Sequence, residues 1–236
     1  MKILALESSA TAASVAVCED ETLLAQSFQH SGLTHSRTLM PMCRDLLENC
    51  GLTLEEMEVV AVAAGPGSFT GLRIGVAAAK GLAWPGNKPC AACSTLESMA
   101  WPLAHLEGRV IVCAMDARRS QVYNALFLAA GEGLQRLTPD RAIGLDQLGE
   151  ELKKVEKEKI VVGDGARLCY NTLTEQGITL KMAPEHLRMQ SAWGVARAAL
   201  ELVRSGGLVS GEELAPVYCR LSQAERERLE REAKSK

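Results

Sequence analysis

One order of strand and helix patterns runs through this chain twice, and that order limits its fold more than any other feature. The first run starts with three strand patterns, Lys2–Leu6, Ala13–Cys18 and Glu21–Gln29, which predict an antiparallel meander. Further on, Val59–Ala64 is apolar at every position, as in a parallel strand buried on both faces. Such a strand needs helices on both sides of its sheet. The sequence therefore predicts an α/β protein.

Helical patterns complete the first unit. A helix over Leu39–Cys50 ends at Gly51, and a second helix over Leu72–Trp84 follows a glycine-rich turn. A fifth strand over Lys88–Cys93 and a third helix, capped by Ser94 or Thr95, close the unit. The order is βββαβαβα.

The same order can be read again from Arg109 onward. The predicted strands and helices of this second run are Val110–Met115, Gln121–Ala129, Leu134–Thr138, Asp146–Val155, Lys159–Val162, Leu168–Gln176, Ile178–Met182 and Ser191–Arg204. The two halves show no visible sequence similarity, so the duplication rests on matching order alone. We expect a first lobe over 1–105 and a second over 106–211.

The end of the chain is predicted separately. Segment 212–236 is a candidate to pack back on the first lobe. Within it, Ser222 and Glu225 form a capping-box pattern ahead of almost only charged residues and alanines, which predicts a solvated or frayed helix.

A duplicated βββαβαβα unit resembles the actin-like (ribonuclease-H-like) fold of actin, sugar kinases and Hsp70, in which two lobes face each other across a nucleotide cleft. This is an analogy of fold, which does not decide function.

Composition excludes several classes of protein. The net charge is −3 and no long basic block is present, so the isolated chain is not expected to bind nucleic acid. The eight cysteines are scattered through strand and helix patterns, which indicates a reducing cytoplasm. No apolar run approaches the roughly 20 residues of a membrane span.

Candidate ligand-binding residues follow strands at the predicted cleft, where backbone N–H groups are unpaired. Two readings stay open for them. The acids hold a magnesium ion and the glycines admit phosphate, or the acids cap loops and the glycines form tight turns. The segment after Gly65 is not a Walker A loop, because no Gly-Lys-Ser/Thr follows. The candidates for a cleft or vestigial nucleotide site are Glu7, Ser8, Gly65, Gly67, Ser68, Asp116, Gly163 and Gly165.

Signals for catalysis are missing. No two histidines stand three or four residues apart, so a histidine metal site is not predicted. Cys90 and Cys93 form a CxxC in a predicted strand, where they point to opposite faces and favour core packing over redox chemistry. Ser68 lies outside any G-x-S-x-G elbow and is interpreted as a cap. We assign no catalytic and no metal-binding residue.

The second helix is apolar or small nearly all round, so it must be covered on both sides. One cover is the sheet. The other is the Leu39–Cys50 helix or another polypeptide chain, and both alternatives stay open on the residue pattern. The predicted partner-binding residues of the two helices are Leu39, Met42, Cys43, Leu46, Leu72, Gly75, Val76, Ala78 and Ala79.

Several segments, spread over almost the whole chain, resemble the TsaB (YeaZ) family. The GPGSFTGLR stretch is the most specific of them. The first strand departs from the family in ending Glu7-Ser8-Ser9 where Asp-Thr-Ser is usual, and Cys219 replaces a common Leu. The matching segments are Ile3–Ser9, Ser14–Val17, His35–Arg37, Leu39–Pro41, Gly65–Ala83, Asp116–Arg118, Val122–Tyr123 and Pro216–Arg220.

The resemblance implies a non-catalytic scaffold or activator subunit of the bacterial complex that makes threonylcarbamoyladenosine next to the tRNA anticodon. Its implied partners are a TsaD-type transferase, bound through the first-lobe helices, and a TsaE-type ATPase. The same surface is expected to pair the chain with itself, and tRNA is reached only through the complex. ATP and magnesium serve the complex, and this chain requires no cofactor. The alternatives are a stand-alone ATP-dependent phosphotransferase of the sugar-kinase type, using Glu7 or Asp116, and, last, a peptidase.

Overall fold

The computed structural model of the 236-residue chain describes residues 1–131 and 133–220. The predicted capping box at Ser222 and Glu225 lies outside these residues. The described part forms two β-sheets with helices between and outside them.

The first sheet has five strands in the order β3-β2-β1-β4-β5. β1 pairs antiparallel with β2 and parallel with β4, so the predicted meander and the predicted buried parallel strand share β1. All seven residues of β4 are buried, as its continuous apolar pattern requires. The strands are β1 (Lys2–Glu7), β2 (Ala13–Glu19), β3 (Thr22–Gln29), β4 (Val59–Gly65) and β5 (Cys90–Ser94).

The second sheet repeats this topology in the order β8-β7-β6-β10-β11, with β9 also pairing with β7. The match of strand order confirms the predicted duplication and the actin-like fold. The strands are β6 (Val110–Asp116), β7 (Gln121–Ala129), β8 (Leu134–Arg136), β9 (Arg141–Gly144), β10 (Lys159–Val162) and β11 (Lys181–Met182).

The third strand of this second meander differs from the prediction. Leu134–Thr138 was expected as one strand, but the position is shared by β8 and β9, which pair with opposite ends of β7. Between them Thr138 Oγ1 accepts a hydrogen bond from the Leu126 amide at 2.9 Å, and Pro139 has no amide hydrogen to continue the ladder. The proline therefore interrupts the strand.

Helices form three layers around the sheets. α1 and α2 cover the outer face of the first sheet, and α4 and α5 cover the outer face of the second. α7 covers the inner face of the first sheet, α3 covers the inner face of the second, and the two helices pack on each other. The helices are α1 (His35–Asn49), α2 (Phe69–Ala83), α3 (Thr95–Ala100), α4 (Leu145–Lys153), α5 (Ala166–Glu175), α6 (Glu185–Arg188) and α7 (Ala192–Arg204).

The inner helices join the two lobes. α7 follows the second sheet in sequence but packs on the first, and Gly194 lets its backbone approach α3, because a Cβ atom there would overlap the Ser98 carbonyl oxygen. A boundary between 105 and 106 separates the sheets but not these helices. The predicted lobe boundary therefore separates the two sheets, but the inner helices α3 and α7 pack across it.

Most element ends differ from the prediction by a few residues. β5 starts at Cys90, after Pro89, and α6 was not predicted. Ser94 is the N-cap of α3, since its Oγ accepts from the Glu97 amide at 3.2 Å, which decides between the two predicted caps. Cys90 packs in the cluster under α1 and α2, whereas Cys93 packs in the cluster under α7. The two thiols of the CxxC thus point to opposite faces, as predicted.

Candidate functional site

The glycine-rich turn after β4 packs against the turn that follows β1. The Ser68 amide donates to the Ser9 carbonyl oxygen at 2.7 Å, and Ser8 Oγ donates to the Gly71 carbonyl oxygen at 3.0 Å. A Cβ atom at Gly67 would lie 2.5 Å from the Ser9 carbonyl oxygen. These glycines are thus required by the close approach of the chain's own backbone.

The second lobe repeats this arrangement. The Gly165 amide donates to the Ala114 carbonyl oxygen at 3.1 Å, and a Cβ atom at Gly165 would lie 2.9 Å from the Asp116 amide nitrogen. Gly163 has a φ of +109° and faces the same carbonyl. Both glycine turns are therefore filled by the end of the neighbouring strand and do not form an open phosphate cradle. The geometry favours the interpretation in which these glycines form tight turns. It does not support a role for them in binding a nucleotide.

Glu7 is fully buried at the end of β1. Its Oε1 accepts from the Ser9 amide at 2.5 Å, whereas Oε2 has no hydrogen-bond partner among the described residues. Loss of water raises the pKa of Glu7 to about 7; the hydrogen bonds from Ser9 oppose the rise and the nearby Asp164 adds to it. Glu7 is therefore close to half-protonated at neutral pH.

A second acid faces Glu7 from the other lobe. Asp164 Oδ1 accepts from Gln190 Nε2 at 2.8 Å, and Gln190 is fully buried with its Oε1 unpartnered among the described residues. Burial raises the pKa of Asp164, the Gln190 hydrogen bond lowers it, and the exposed Asp116 raises it further. The predicted pair Glu7 and Asp116 is thus joined by Asp164 and Gln190, which were not among the predicted site residues.

The arrangement of histidine, cysteine and acidic side chains bears on metal binding. Within residues 1–131 and 133–220, no group of three or more His, Cys, Asp and Glu side chains is arranged to hold a metal ion. His35 contacts the Ala10 carbonyl oxygen through Nε2 at 2.7 Å, and so joins the start of α1 to the β1–β2 turn. The cluster of Glu7 and Asp164 thus consists of two interacting carboxyls, one from each lobe, whose pKa values are both raised by burial.

The predicted partner-binding residues lie mostly inside the first lobe. Six of them pack in the core between the helices and the first sheet, Leu72 is fully buried, Gly75 is buried against Ser8, and only Ala78 is half-buried. Most of their side chains are thus covered by the chain itself. The six are Leu39, Met42, Cys43, Leu46, Val76 and Ala79.

The exposed faces of the same two helices carry different residues. On α2 an outward stripe runs through Arg73, Ala77, Gly81 and Trp84, spaced by four, four and three residues. Trp84, at the C-terminal end of α2, is 78% exposed, and Met40, in the second turn of α1, is 45% exposed. The outward faces of these two helices therefore present small and apolar residues, most of which differ from the predicted partner-binding residues.

Comparison with known proteins decides the family. A family profile described as "TsaD: tRNA N6-adenosine threonylcarbamoyltransferase" matches residues 29–227. The tRNA threonylcarbamoyladenosine biosynthesis protein TsaB of Bacillus subtilis is 32% identical over 234 residues, which is 98% of this chain and 99% of that protein. The chain belongs to the TsaB (YeaZ) family. The TsaB protein of Escherichia coli is 30% identical over 93% of this chain and 95% of its own length.

Solved structures agree with this assignment. YeaZ from Pseudomonas aeruginosa superposes with a TM-score of 0.75 at 25% identity, covering 92% of this chain and 99% of that one. The TsaB-family fold is thus present over nearly the whole chain. In the part of the chain that the structure describes, no helix has the length and apolar character needed to span a bilayer.

One feature of this TsaB-family chain is a C-terminal strap, which we define as Pro216–Arg220. The Val217 amide donates to the Ala64 carbonyl oxygen at 2.7 Å, at the end of β4. Arg220 Nη1 donates to the Ala117 carbonyl oxygen at 3.1 Å, just after β6. The strap therefore connects the two lobes where their first-strand and fourth-strand ends meet.

Aromatic stacking fixes the strap on α2. The rings of Tyr218 and Phe69 stack with centroids 5.0 Å apart, and the Arg73 guanidinium lies 3.9 Å over the Phe69 ring. Arg73 Nε also donates to the Tyr218 hydroxyl at 3.1 Å. The only sequence signal for this cluster was the Pro216–Arg220 motif, which entered as a family match without a role.

Proposed function

We propose that this chain is a non-catalytic scaffold or activator subunit of the assembly that makes threonylcarbamoyladenosine next to the tRNA anticodon. The names of its full-length relatives support the pathway, and the transferase profile that matches residues 29–227 supports a partner of related fold. A TsaD-type transferase is the partner, and it docks on α1 and α2. A TsaE-type ATPase joins the assembly.

The observation that carries the docking proposal is the outward stripe of α2. Ala77 and Gly81 project almost nothing from the helix surface, so another helix can approach closely there. Trp84 follows these small residues at the end of α2, Trp84 and Met40 of α1 offer exposed apolar area, and Trp is enriched among residues that dominate binding energy. The stripe has the form of a helix-packing surface that a second helical pair completes.

The test is the double substitution Ala77→Glu with Gly81→Glu. A Cβ atom at Gly81 meets nothing within 4 Å, and replacing a helical glycine raises helix propensity by up to about 1 kcal/mol. The monomer should thus keep its melting temperature. Two longer charged side chains prevent close helix packing, so we expect pairing with the transferase, measured by calorimetry, to weaken at least about 100-fold. Reconstituted tRNA threonylcarbamoylation should fall with it.

The matched control is Gln147→Glu with Asn171→Glu, which adds the same two charges at exposed positions of α4 and α5. It should pair and support modification like the wild type. If the α2 variant also pairs and supports modification normally, α2 is not the docking surface.

The remaining partners and cofactors follow from this role. We infer that the same stripe pairs two copies of the chain when the transferase is absent, that ATP and magnesium act elsewhere in the assembly, and that the chain works in the cytoplasm. The sugar-kinase alternative expects tight Mg-ATP binding and turnover by the pure chain. The filled turns at Gly67 and Gly165 favour the scaffold role over it, and calorimetry of the pure chain with Mg-ATP separates the two.

A further inference from the structure

The arginines that the structure describes fall into two groups. Every arginine outside the interlobe edges makes an ion pair, as Arg109 does with Glu158 and Arg204 with Glu21. A second group has no carboxylate within ion-pair distance among residues 1–131 and 133–220. These arginines are Arg37, Arg73, Arg118, Arg119, Arg167 and Arg220.

All of the second group lie at one place in the fold. Arg37 is in the first turn of α1, Arg73 is in the second turn of α2, and Arg167 is in the first turn of α5. Arg118 and Arg119 form the turn after β6. Since the helices named follow strands that end at the same sheet edges as β1 and β6, these arginines lie at the carboxyl-end edges of the two sheets, which we call the cleft rim. All except the half-buried Arg220 are exposed.

The strap brings part of this group into one continuous surface. Arg73 holds Tyr218 through its Nε, and Arg220, two residues further along, holds the Ala117 carbonyl oxygen beside Arg118. Two residues of extended chain span at most about 7 Å. We define the rim patch as Phe69, Arg73, Arg118, Arg119, Tyr218 and Arg220.

The patch combines arginines that have no carboxylate partner among the described residues with partly exposed aromatic rings. Phe69 and Tyr218 are 36% and 40% exposed, and the Arg73 guanidinium covers the Phe69 ring, so Tyr218 is the more open ring of the stack. Arg73 and Arg220 each use one guanidinium nitrogen on the chain itself, which leaves further donors for an anion. Guanidinium groups that bind phosphates, beside rings that stack on bases, are the combination by which proteins hold single-stranded nucleic acid.

The acids near the patch differ in how far they oppose an anion. Glu7 is fully buried and so presents no charge at the surface that carries the arginines. Asp116 is exposed and accepts a hydrogen bond from the Arg118 amide at 2.7 Å, so one carboxylate stands at the turn that carries Arg118 and Arg119. The arginines belong to both lobes, so a polymer can cross from one lobe to the other along them. The net charge of −3 opposes this little, because exposed charges more than about 10 Å apart are screened at physiological salt.

We propose that the rim patch binds a single-stranded segment of RNA, with its arginines on phosphates and the Phe69–Tyr218 stack against a base. Unpaired loops are the parts of an RNA whose bases are free to stack on side chains, whereas duplex bases are not. Only the identity of the RNA, a tRNA, rests on the proposed function. The binding itself is a property of this chain alone, and it departs from the expectation, based on net charge and the family resemblance, that the isolated chain does not bind nucleic acid.

The experiment measures fluorescence anisotropy of a labelled tRNA anticodon arm with the pure full-length chain, from about 50 to about 200 mM salt. Wild-type binding should weaken with salt. Arg118→Ala with Arg119→Ala should weaken binding about tenfold or more and reduce the slope of log affinity against log salt by about 1.4, because each phosphate contact on a single strand contributes about 0.7. The control Arg109→Ala with Arg204→Ala removes the same charge and should bind within about twofold of the wild type.

A second pair of variants tests the stacking. Tyr218→Ala should weaken binding about fivefold or more without changing the salt slope, and Tyr218→Phe, which keeps the ring, should retain binding. The proposal is overturned if the pure chain does not bind at about 50 mM salt, if both arginine pairs weaken binding equally, or if a duplex without a loop binds as well as the arm.

The result of the RNA-binding experiment can be distinguished from the result of the docking experiment. Pairing with the transferase is measured on the same variants, and Arg118→Ala with Arg119→Ala, which lies outside the α2 stripe, should leave it unchanged. If the arginine variant loses pairing but keeps RNA binding, the rim patch contacts protein, and the RNA proposal is wrong.

Discussion

Replacing Glu7 by Gln tests the electrostatics of the cleft most directly. Glutamine keeps the shape of the side chain and an oxygen for the Ser9 amide, but it cannot ionise. In the folded chain the pKa of Glu7 is about 7, raised from 4.5 chiefly by burial. A carboxyl whose pKa is raised by folding stabilises the folded state fully below its unfolded pKa, and this contribution is lost as the pH rises through the folded pKa.

The magnitude follows from the two pKa values. The step from 4.5 to about 7, at about 1.4 kcal/mol per pKa unit, gives an upper limit of about 3.5 kcal/mol, of which about 3 kcal/mol applies near neutral pH. Glu7 is fully buried, so solvent screening does not reduce this value. The Glu7→Gln chain should therefore be about 3 kcal/mol more stable than the wild type at pH 8, with the difference shrinking through pH 7 and 6 and nearly gone below about pH 5.

Urea denaturation at a series of pH values, followed by the fluorescence of the three tryptophans, measures this difference. Glu48→Gln is the control, because it removes an exposed carboxylate from α1 and should shift stability by less than about 0.5 kcal/mol at every pH. A gap between Glu7→Gln and wild type that does not change with pH, or a less stable variant at pH 8, would show that Glu7 is not held in a desolvated site.

Two further predictions concern packing and thiol chemistry. Gly194→Ala should lower the unfolding free energy by about 1 to 3 kcal/mol, because its methyl group overlaps the Ser98 carbonyl oxygen where α7 crosses α3. Gly81→Ala is the control and should not lower the unfolding free energy, because the space around Gly81 is open. Thermal melts compare the two variants. In the native chain at pH 8, thiol alkylation read by mass spectrometry should reach the partly exposed Cys50 and Cys219 first. The buried thiols, whose pKa is raised as in Cys93, should react only after unfolding; early labelling of Cys93 would contradict its burial.

Sequence periodicity predicts the fold well here because both sheets are buried between helices. A strand such as β4 must then be apolar throughout, and its pattern cannot be confused with a loop. The third strand of the second lobe was less predictable. It is half-exposed and short, and only Pro139 marks the interruption that the structure shows between β8 and β9.

The same periodicity misleads where an interface is concerned. Leu72, Val76 and Ala79 are apolar at helical spacing, which indicates that they are covered but not by what. In the structure Val76 and Ala79 pack in the core over the first sheet, and Leu72 is fully buried. Ala77 and Gly81 stay exposed on α2, and because small residues carry little hydrophobic signal, apolar periodicity alone does not distinguish them.

Burial of the cleft acids was equally invisible in the sequence. Glu7 ends a strand, where a charged residue normally reaches solvent, yet in the folded chain it is fully buried. Asp164 faces Glu7 across some 150 residues of chain, so no local spacing connects them. Long-range pairing of this kind follows from the duplication and not from a motif.

Comparing equivalent positions in the two lobes shows which residues the fold itself requires. Gly67 and Gly165 stand at equivalent turns of the two lobes, and each meets the backbone that follows the neighbouring strand. A requirement that recurs at both equivalent positions is explained by strand-to-helix packing, so glycines there are poor evidence for a phosphate site. No such requirement places Arg73, Arg118 and Arg119 on the cleft rim without a carboxylate partner among the described residues. Arginines that the fold does not need, gathered at one edge, are the better guide to a ligand.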